Sequence, residues 1–358
     1  MATYPLLERD SREWQTVHDG TVRFALVGVG WWTQEFVLPA IEASELCTTT
    51  AVVTSSAAKA ERVRESYDSI DHGLTYDEFA DGTAAEAYDA VYVCTPNATH
   101  LEHVESAVDL GKDVLCEKPM EATRERAEAV VEAASGTDVT LMVAYRMHTE
   151  PAVRHARDLI RNGVIGEPTV LNGENSQPLL EMIPDADQWR LNPDLTGYGA
   201  SVMDLGIYPL NTARFLLDAD PIAVQSMMRS AREEFEDVPD EHAAFSVEYD
   251  DGTLGSFTSS QNGSDETRLE VVGTEGRIEL HPAFHMETGL TVARDGTTVS
   301  VETEQVDQME YEFDYFANQA LAGEPVYADG EHGLVDMYAL EAIYEAAETG
   351  QTTSVRRP

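Results

Sequence analysis

VRFALVGVGWWT, residues 22–33, decides how the chain is read. Its first six residues form an apolar, β-prone run without alternation. That is the pattern of a strand buried on both faces of a parallel sheet. The run ends on Gly28-Val29-Gly30, and a helix is expected from Trp31 to about residue 46. In such a strand–turn–helix the first glycine makes the tight turn and the second lets a pyrophosphate approach the backbone. The phosphates then rest on the helix N-terminus. Taken alone, the two glycines also fit an ordinary strand-to-helix turn, so the surrounding sequence has to carry the assignment. Thr33 stands where a third glycine is usual, which predicts looser helix packing there.

Outward from this turn the rhythm repeats. Residues 48–55, 88–96, 112–119 and 139–146 read as strands, and helices are expected over 57–67, through 107–110 and over 121–134. Strands alternating with helices predict βαβ units, hence an α/β Rossmann domain with a doubly wound parallel sheet over 21–146. Residues 1–20 are polar and read as an arm.

Beyond residue 150 the pattern changes. A helix over 151–162 ends at Asn162-Gly163, as a C-cap would, and a long polar segment follows over 172–197. Alternating runs at 222–228, 242–260, 267–280 and 290–302 carry DDG, TEG and RDG at hairpin spacing. They predict a C-terminal α+β domain, 147–358, with a large, mostly antiparallel open sheet. One sheet face is expected on helices and the other free for a second copy, giving a homodimer or homotetramer. Helices over 310–322 and 333–348 close the chain, the last with room to pack back on the Rossmann domain.

The 358 residues, 42% of them hydrophobic, suffice for two cores. No apolar stretch approaches the roughly 20 residues of a membrane span, and the N-terminus lacks the basic and apolar regions of a secretory signal. Cys47, Cys94 and Cys116 are dispersed without metal spacing, which fits buried thiols in a reducing cytoplasm and no metal site. Sixty-six acids against 23 bases give a formal charge of −43. That balance excludes nucleic acid, which binds basic patches. The self-repulsion becomes tolerable at molar salt, where the screening length is about 3 Å, so a high-salt cytoplasm is expected.

Only three bases are lysine: Lys59, Lys112 and Lys118. Lys118, between Glu117 and Pro119, follows a strand at the sheet edge where ligands of open α/β folds gather. Arginine would serve a plain surface pair with Glu117; a lysine adds a compact ammonium whose pKa can move. Thr95, Pro96 and Asn97, with His100 one turn on, occupy the same edge. His100 fits a nicotinamide-lining role or a core brace equally. At the end of the second strand an acid normally binds the adenosine ribose. This chain has Ser55, Ser56 and Lys59 instead. Hydroxyls and a cation suit a ribose 2′-phosphate, so NADP is favoured over NAD, although Ser56 is also a good N-cap. Farther on, Asp204 and Tyr208 lie one helical turn apart in an apolar run. A phenol beside a carboxylate and a lysine makes a workable acid–base group.

The strand-ending GVG, CTPNATH (94–100), CEKPM (116–120), AYR (144–146), QWRL (188–191), MDLGIYPLN (203–211) and ALEAIYEAAETG (339–350) together resemble the glucose–fructose oxidoreductase / inositol dehydrogenase (Gfo/Idh/MocA) family. The resemblance covers about residues 20–355. It implies an NADP-dependent sugar dehydrogenase that oxidises an aldose, D-xylose foremost, at C1 to the aldonolactone. By the same resemblance Lys118 touches substrate and nicotinamide ribose, Asp204 is the family aspartate and Tyr208 the acid–base residue. Ser55, Ser56 and Lys59 match an NADP-selecting segment, and Tyr76, Arg146, Trp189 and Arg190 match positions near the cofactor. Trp31 and Trp32 replace smaller residues in the phosphate loop. Two alternatives remain: an oxidoreductase that retains its cofactor and passes hydride between sugars, and a non-catalytic sugar or NADP sensor.

Overall fold

The computed structural model describes residues 12–17 and 19–356. Six parallel strands form the first sheet: β1 (Val22–Val27), β2 (Cys47–Thr54), β3 (His72–Thr75), β4 (Ala90–Val93), β5 (Asp113–Glu117) and β6 (Leu141–Ala144). Their order, β3-β2-β1-β4-β5-β6, is that of a doubly wound Rossmann sheet, with the topological switch between β1 and β4. Phe24, Leu26, Val52, Val91, Tyr92 and Leu115 are buried, as strands covered on both faces require.

The second sheet has nine strands. They are β7 (Pro168–Pro178), β8 (Pro221–Arg229), β9 (His242–Tyr249), β10 (Leu254–Ser260), β11 (Asn262–Gly273), β12 (Gly276–Leu280), β13 (Leu290–Arg294), β14 (Thr297–Val301) and β15 (Thr353–Ser354), in the order β14-β13-β12-β11-β7-β10-β9-β8-β15. Every pairing is antiparallel except β7 with β10. Inward residues such as Phe245, Val247, Phe257 and Leu269 are buried beneath a layer that includes the helices Ile207–Leu217 and Gly330–Thr349. On the opposite face Val170, Met227 and Leu254 are exposed.

Two expectations need correction. The polar segment expected over 172–197 begins with β7, which runs through the middle of the sheet. Its residues are polar because several of them face a cavity, and this removes the alternation that marks a strand. The arm expected over 1–20 lies outside the described residues for 1–11 and 18. Where it is described, Trp14 is a core residue, edge-on to Tyr311 and Tyr315 at 6.4 and 5.5 Å. Asn318 Oδ1 accepts the backbone N–H groups of Thr16 and Val17.

Helix Gln308–Ala322 follows β14 of the second sheet in the chain yet packs under the first. Phe313 lies 5.1 Å from both Phe24 and Tyr92, and Phe316 lies 5.8 Å from Phe24. Helix Gly330–Thr349 also touches both sheets: Gly333 rests so close to Val143 that a Cβ would stand 2.6 Å from its methyl. No helix among the described residues is long and apolar enough to cross a membrane.

Candidate active site

Because the first sheet is parallel, the six residues or turns that follow its strands share one edge. Gly28 follows β1, Ser55 β2, Tyr76 β3, Cys94-Thr95 β4, Lys118 β5 and Tyr145-Arg146 β6. Gly28 has φ +95°, and a Cβ there would stand 2.0 Å from the Cys94 carbonyl oxygen. Only glycine fits. Gly30 faces open space, with nothing within 4 Å of a Cβ position. Thr33 corrects the expectation of loose packing: it is buried, and its hydroxyl donates to the Gly28 carbonyl at 2.6 Å, tying the helix start to the turn. A tight turn with an open second glycine fits a dinucleotide backbone. Ser55 and Ser56 are exposed at the end of β2, and Ser56 caps the helix Ala57–Arg64 through the Lys59 amide. Tyr76 is half-buried against His103, ring centres 4.7 Å apart.

A cavity of about 340 Å³ opens beside this edge, between the two sheets. Its wall includes Trp31, Trp32, Thr95, Asn97, His100, Glu117, Lys118, Arg146, Trp189, Arg190, Asp204 and Tyr208. Gly28, Gly30, Ser55, Ser56, Lys59, Tyr76 and Pro96 are not part of it; they lie in the turns and helix starts that follow β1 to β4.

In the chamber the Lys118 ammonium donates to the Asp204 carboxylate at 3.2 Å and to the Asp204 carbonyl at 3.0 Å. The other carboxylate oxygen accepts from Arg190 Nε and Gln261 Nε2, both at 3.0 Å. Burial works to raise the Asp204 pKa, but Arg190, Lys118 and Gln261 outweigh it and hold the carboxyl well below its ordinary range. Burial also works to lower the Lys118 pKa. The negative charge that Tyr208, Asp204 and Glu117 carry when ionised outweighs it, against opposition from Arg146, and the ammonium is held above its usual range.

Two cations lie close to the Tyr208 ring. The Lys118 Nζ is 4.5 Å from its ring centre and the Arg146 guanidinium carbon 4.9 Å. Arg146 is itself fixed by donation to the Phe284 carbonyl at 2.6 Å and lies 5.4 Å from the Trp32 ring centre. Glu117 takes the Tyr92 hydroxyl at 2.7 Å and the Lys118 amide at 3.1 Å. Its carboxylate therefore positions the lysine backbone, and the ammonium goes to Asp204.

His100 is fully enclosed, its two ring nitrogens 3.2 and 3.0 Å from the Met120 and Thr95 carbonyls. It braces the loops after β4 and β5. Asn97 does the same across the chain, donating to the Thr196 carbonyl at 2.9 Å. The Cys94 thiol lines the chamber, but burial pushes its pKa up to about 12, so it stays protonated. Asp240 secures the turn carrying Asp204. It accepts the Ala200 and Val202 amides, each at 2.7 Å, and the Tyr344 hydroxyl at 2.6 Å. Burial, partly offset by these donors, raises its pKa to about 6.

Sequence reasoning missed Gln261, Asn175, Gln177, Asp240 and the Asp265–His285 pair, 3.1 Å apart in the chamber wall. No local spacing in the sequence marks them. Among the described residues no cluster of three metal-ligating side chains occurs.

The profile of the oxidoreductase family with an NAD-binding Rossmann fold matches residues 22–145, and that of the GFO/IDH/MocA C-terminal domain matches residues 153–279. The chain is 53% identical to D-xylose 1-dehydrogenase [NADP(+)] of Haloarcula marismortui over 347 residues, covering 96% of each. It is 31% identical to D-xylose 1-dehydrogenase (NADP(+)) 2 of Haloferax volcanii, over 91% of this chain and 98% of the relative. Among solved structures, the aldose-aldose oxidoreductase of Caulobacter crescentus complexed with glycerol superposes with a TM-score of 0.87 at 28% identity, over 93% of this chain and 99% of the other. A Rossmann sheet with its glycine turn, joined to a broad open sheet, is thus matched in sequence and in shape, and the chain belongs to the Gfo/Idh/MocA family of oxidoreductases.

Proposed function

We propose that this chain is an NADP-dependent aldose 1-dehydrogenase that oxidises D-xylose at C1 to the lactone. The observation that carries the reading is the pairing of Lys118 with Asp204 against the Tyr208 ring, in a chain that shares 53% identity with a D-xylose 1-dehydrogenase. The bound nicotinamide supplies the hydride acceptor. Tyr208 takes the proton of the C1 hydroxyl. Lys118 and Arg146, both within 5 Å of the ring centre, stabilise the phenolate. The ammonium also offers a hydrogen bond to the oxygen on which charge develops. Asp204, saturated by three side-chain donors, holds the lysine in place and takes no proton. Trp31, Trp32 and Trp189 shield the chamber from water. On the nucleotide side, Ser55, Ser56 and Lys59 would meet the ribose 2′-phosphate, and Gly28 and Gly30 the pyrophosphate.

Absorbance at 340 nm with NADP and a panel of pentoses and hexoses, in molar salt, tests the reading. Bulk formation of NADPH with D-xylose is the expected result. Conversion of a sugar pair without bulk NADPH would replace it with the cofactor-retaining reaction. No turnover at all would favour a sensor. We further propose a high-salt cytoplasm as the setting, supported by the charge of −43, and a homodimer or homotetramer formed through the open sheet face. The exposed Val170, Met227 and Leu254 support the latter. Light scattering of Leu254→Asp should show a smaller particle than the parent.

A further inference from the structure

The orientation of two chamber amides can be traced back to one carboxylate. Asp204 is ionised and can only accept. Gln261, completely buried, therefore turns its Nε2 toward Asp204, at 3.0 Å. Its Oε1 then faces the other way and accepts from Gln177 Nε2 at 2.8 Å. Reversing either amide would set oxygen against oxygen or nitrogen against nitrogen. Gln177 lines the chamber. With one N–H bound to Gln261, its oxygen is turned away from Gln261 and accepts no hydrogen bond from the described residues.

Asn175, two positions earlier, lies on the same face of β7 and repeats the pattern. Its Nδ2 donates to the Leu205 carbonyl at 3.1 Å, and that carbonyl can only accept. Its Oδ1 is buried with no partner, and Asn175 too lines the chamber. A buried amide oxygen without a donor is costly unless a ligand supplies one.

We infer that Gln177 and Asn175 present their amide oxygens as an acceptor wall that reads the substrate as a neutral polyol. Each amide oxygen receives a hydrogen bond from a sugar hydroxyl away from the reacting carbon, with Gln177 the principal specificity-determining residue. This rests on the proposal that the chamber binds a sugar. The wall opposes the cations at the reacting end: donors there meet the oxygen that gains charge, and acceptors here meet hydroxyls that keep their protons. A carboxylate, phosphate or ketone at the wall positions would face oxygen lone pairs, so uronates and sugar phosphates are rejected.

The test is a cycle between residue and substrate. Steady-state kinetics compare the parent, Gln177→Leu and the longer Gln177→Met on D-xylose and on its 2-, 3- and 4-monodeoxy forms. Both substitutions should raise KM for D-xylose about tenfold, the scale of one hydrogen bond, and move kcat less. One deoxy sugar should lose rate on the parent but show no additional loss on the variants, which identifies the hydroxyl that Gln177 reads. Losses that add for every deoxy sugar would overturn the proposal, because a purely structural role through Gln261 weakens all sugars alike. If the parent itself fails to oxidise any sugar, the underlying reading falls and this one with it. Parent turnover combined with additive losses removes the acceptor wall alone.

Discussion

Asp204 grips Lys118 twice, taking its ammonium on the carboxylate at 3.2 Å and on the backbone carbonyl at 3.0 Å. The same ammonium rests 4.5 Å from the centre of the Tyr208 ring. The aspartate is thus occupied with holding a cation, and the phenol is the group positioned to exchange a proton. The roles separate because the carboxylate is saturated by side-chain donors, whereas the tyrosine is flanked only by cations and aromatic rings.

Replacing Tyr208 with Phe keeps the ring and both cations beside it, and removes only the proton acceptor. Turnover with D-xylose should fall about 10²–10⁴-fold, the usual weight of general acid–base catalysis. NADPH affinity, read by fluorescence titration, should stay within a factor of three or so of the parent. Retention of most of the turnover would transfer the acid–base role elsewhere.

Two glycines of one turn should respond differently. Gly28→Ala forces a Cβ to within 2.0 Å of the Cys94 carbonyl at φ +95°. The turn must deform, and both thermal stability and cofactor binding should drop. Gly30→Ala meets no protein atom. It should leave the melting temperature near that of the parent and weaken NADP binding, since the added methyl enters the track left for the pyrophosphate. Equal behaviour of the two variants in calorimetry and titration would contradict the pyrophosphate assignment.

Ser55 follows the second strand and Lys59 lies in the first turn of the next helix, the place the proposed function gives to the ribose 2′-phosphate. Lys59→Met should raise KM for NADP about tenfold, roughly the value of one charge-assisted hydrogen bond, and leave NAD nearly unaffected. A parallel loss with both cofactors would place Lys59 outside the 2′-phosphate contact.

Asp240 makes stability depend on pH in a defined direction. Its pKa is raised to about 6 by burial, so the folded state binds a proton more tightly than the unfolded chain, where the carboxyl titrates near 4. The associated stability is fully present below pH 4 and is lost as pH rises toward 6. Urea unfolding of the parent and Asp240→Asn, in the same salt, should therefore show their difference moving against the parent by about 3 kcal/mol between pH 4 and pH 7. A difference constant across that range would mean that Asp240 ionises normally.

The nucleotide half of the fold is legible because its residues obey single-purpose rules. Phe24, Leu26 and Val52 are buried and apolar, and Gly28 has a backbone reason to be glycine. The chamber's far wall follows no such rule. Strand β7 carries Asn175 and Gln177 on the face that lines the chamber and Asn172, Glu174 and Ser176 on the other, so no apolar alternation marks it as a strand. Gln261 stands between two strands, and its partner Asp204 is far away in sequence, so no local spacing announces it. Thr33 shows another kind of surprise: a hydroxyl tethering the turn substitutes for the close approach a glycine would give. Trp14 could have been read as an anchor, being the one large aromatic ring in a polar stretch.

Phe313 and Phe316, which cover Phe24 under the first sheet, are among the later residues of the chain to be synthesised. A nascent polypeptide leaving the ribosome can pair β1 to β6 long before helix Gln308–Ala322 exists, but it cannot seal them. Until translation is nearly complete, the part of the sheet face beneath Phe313 and Phe316 stays uncovered, although helix Leu38–Ala43 can already pack beside it.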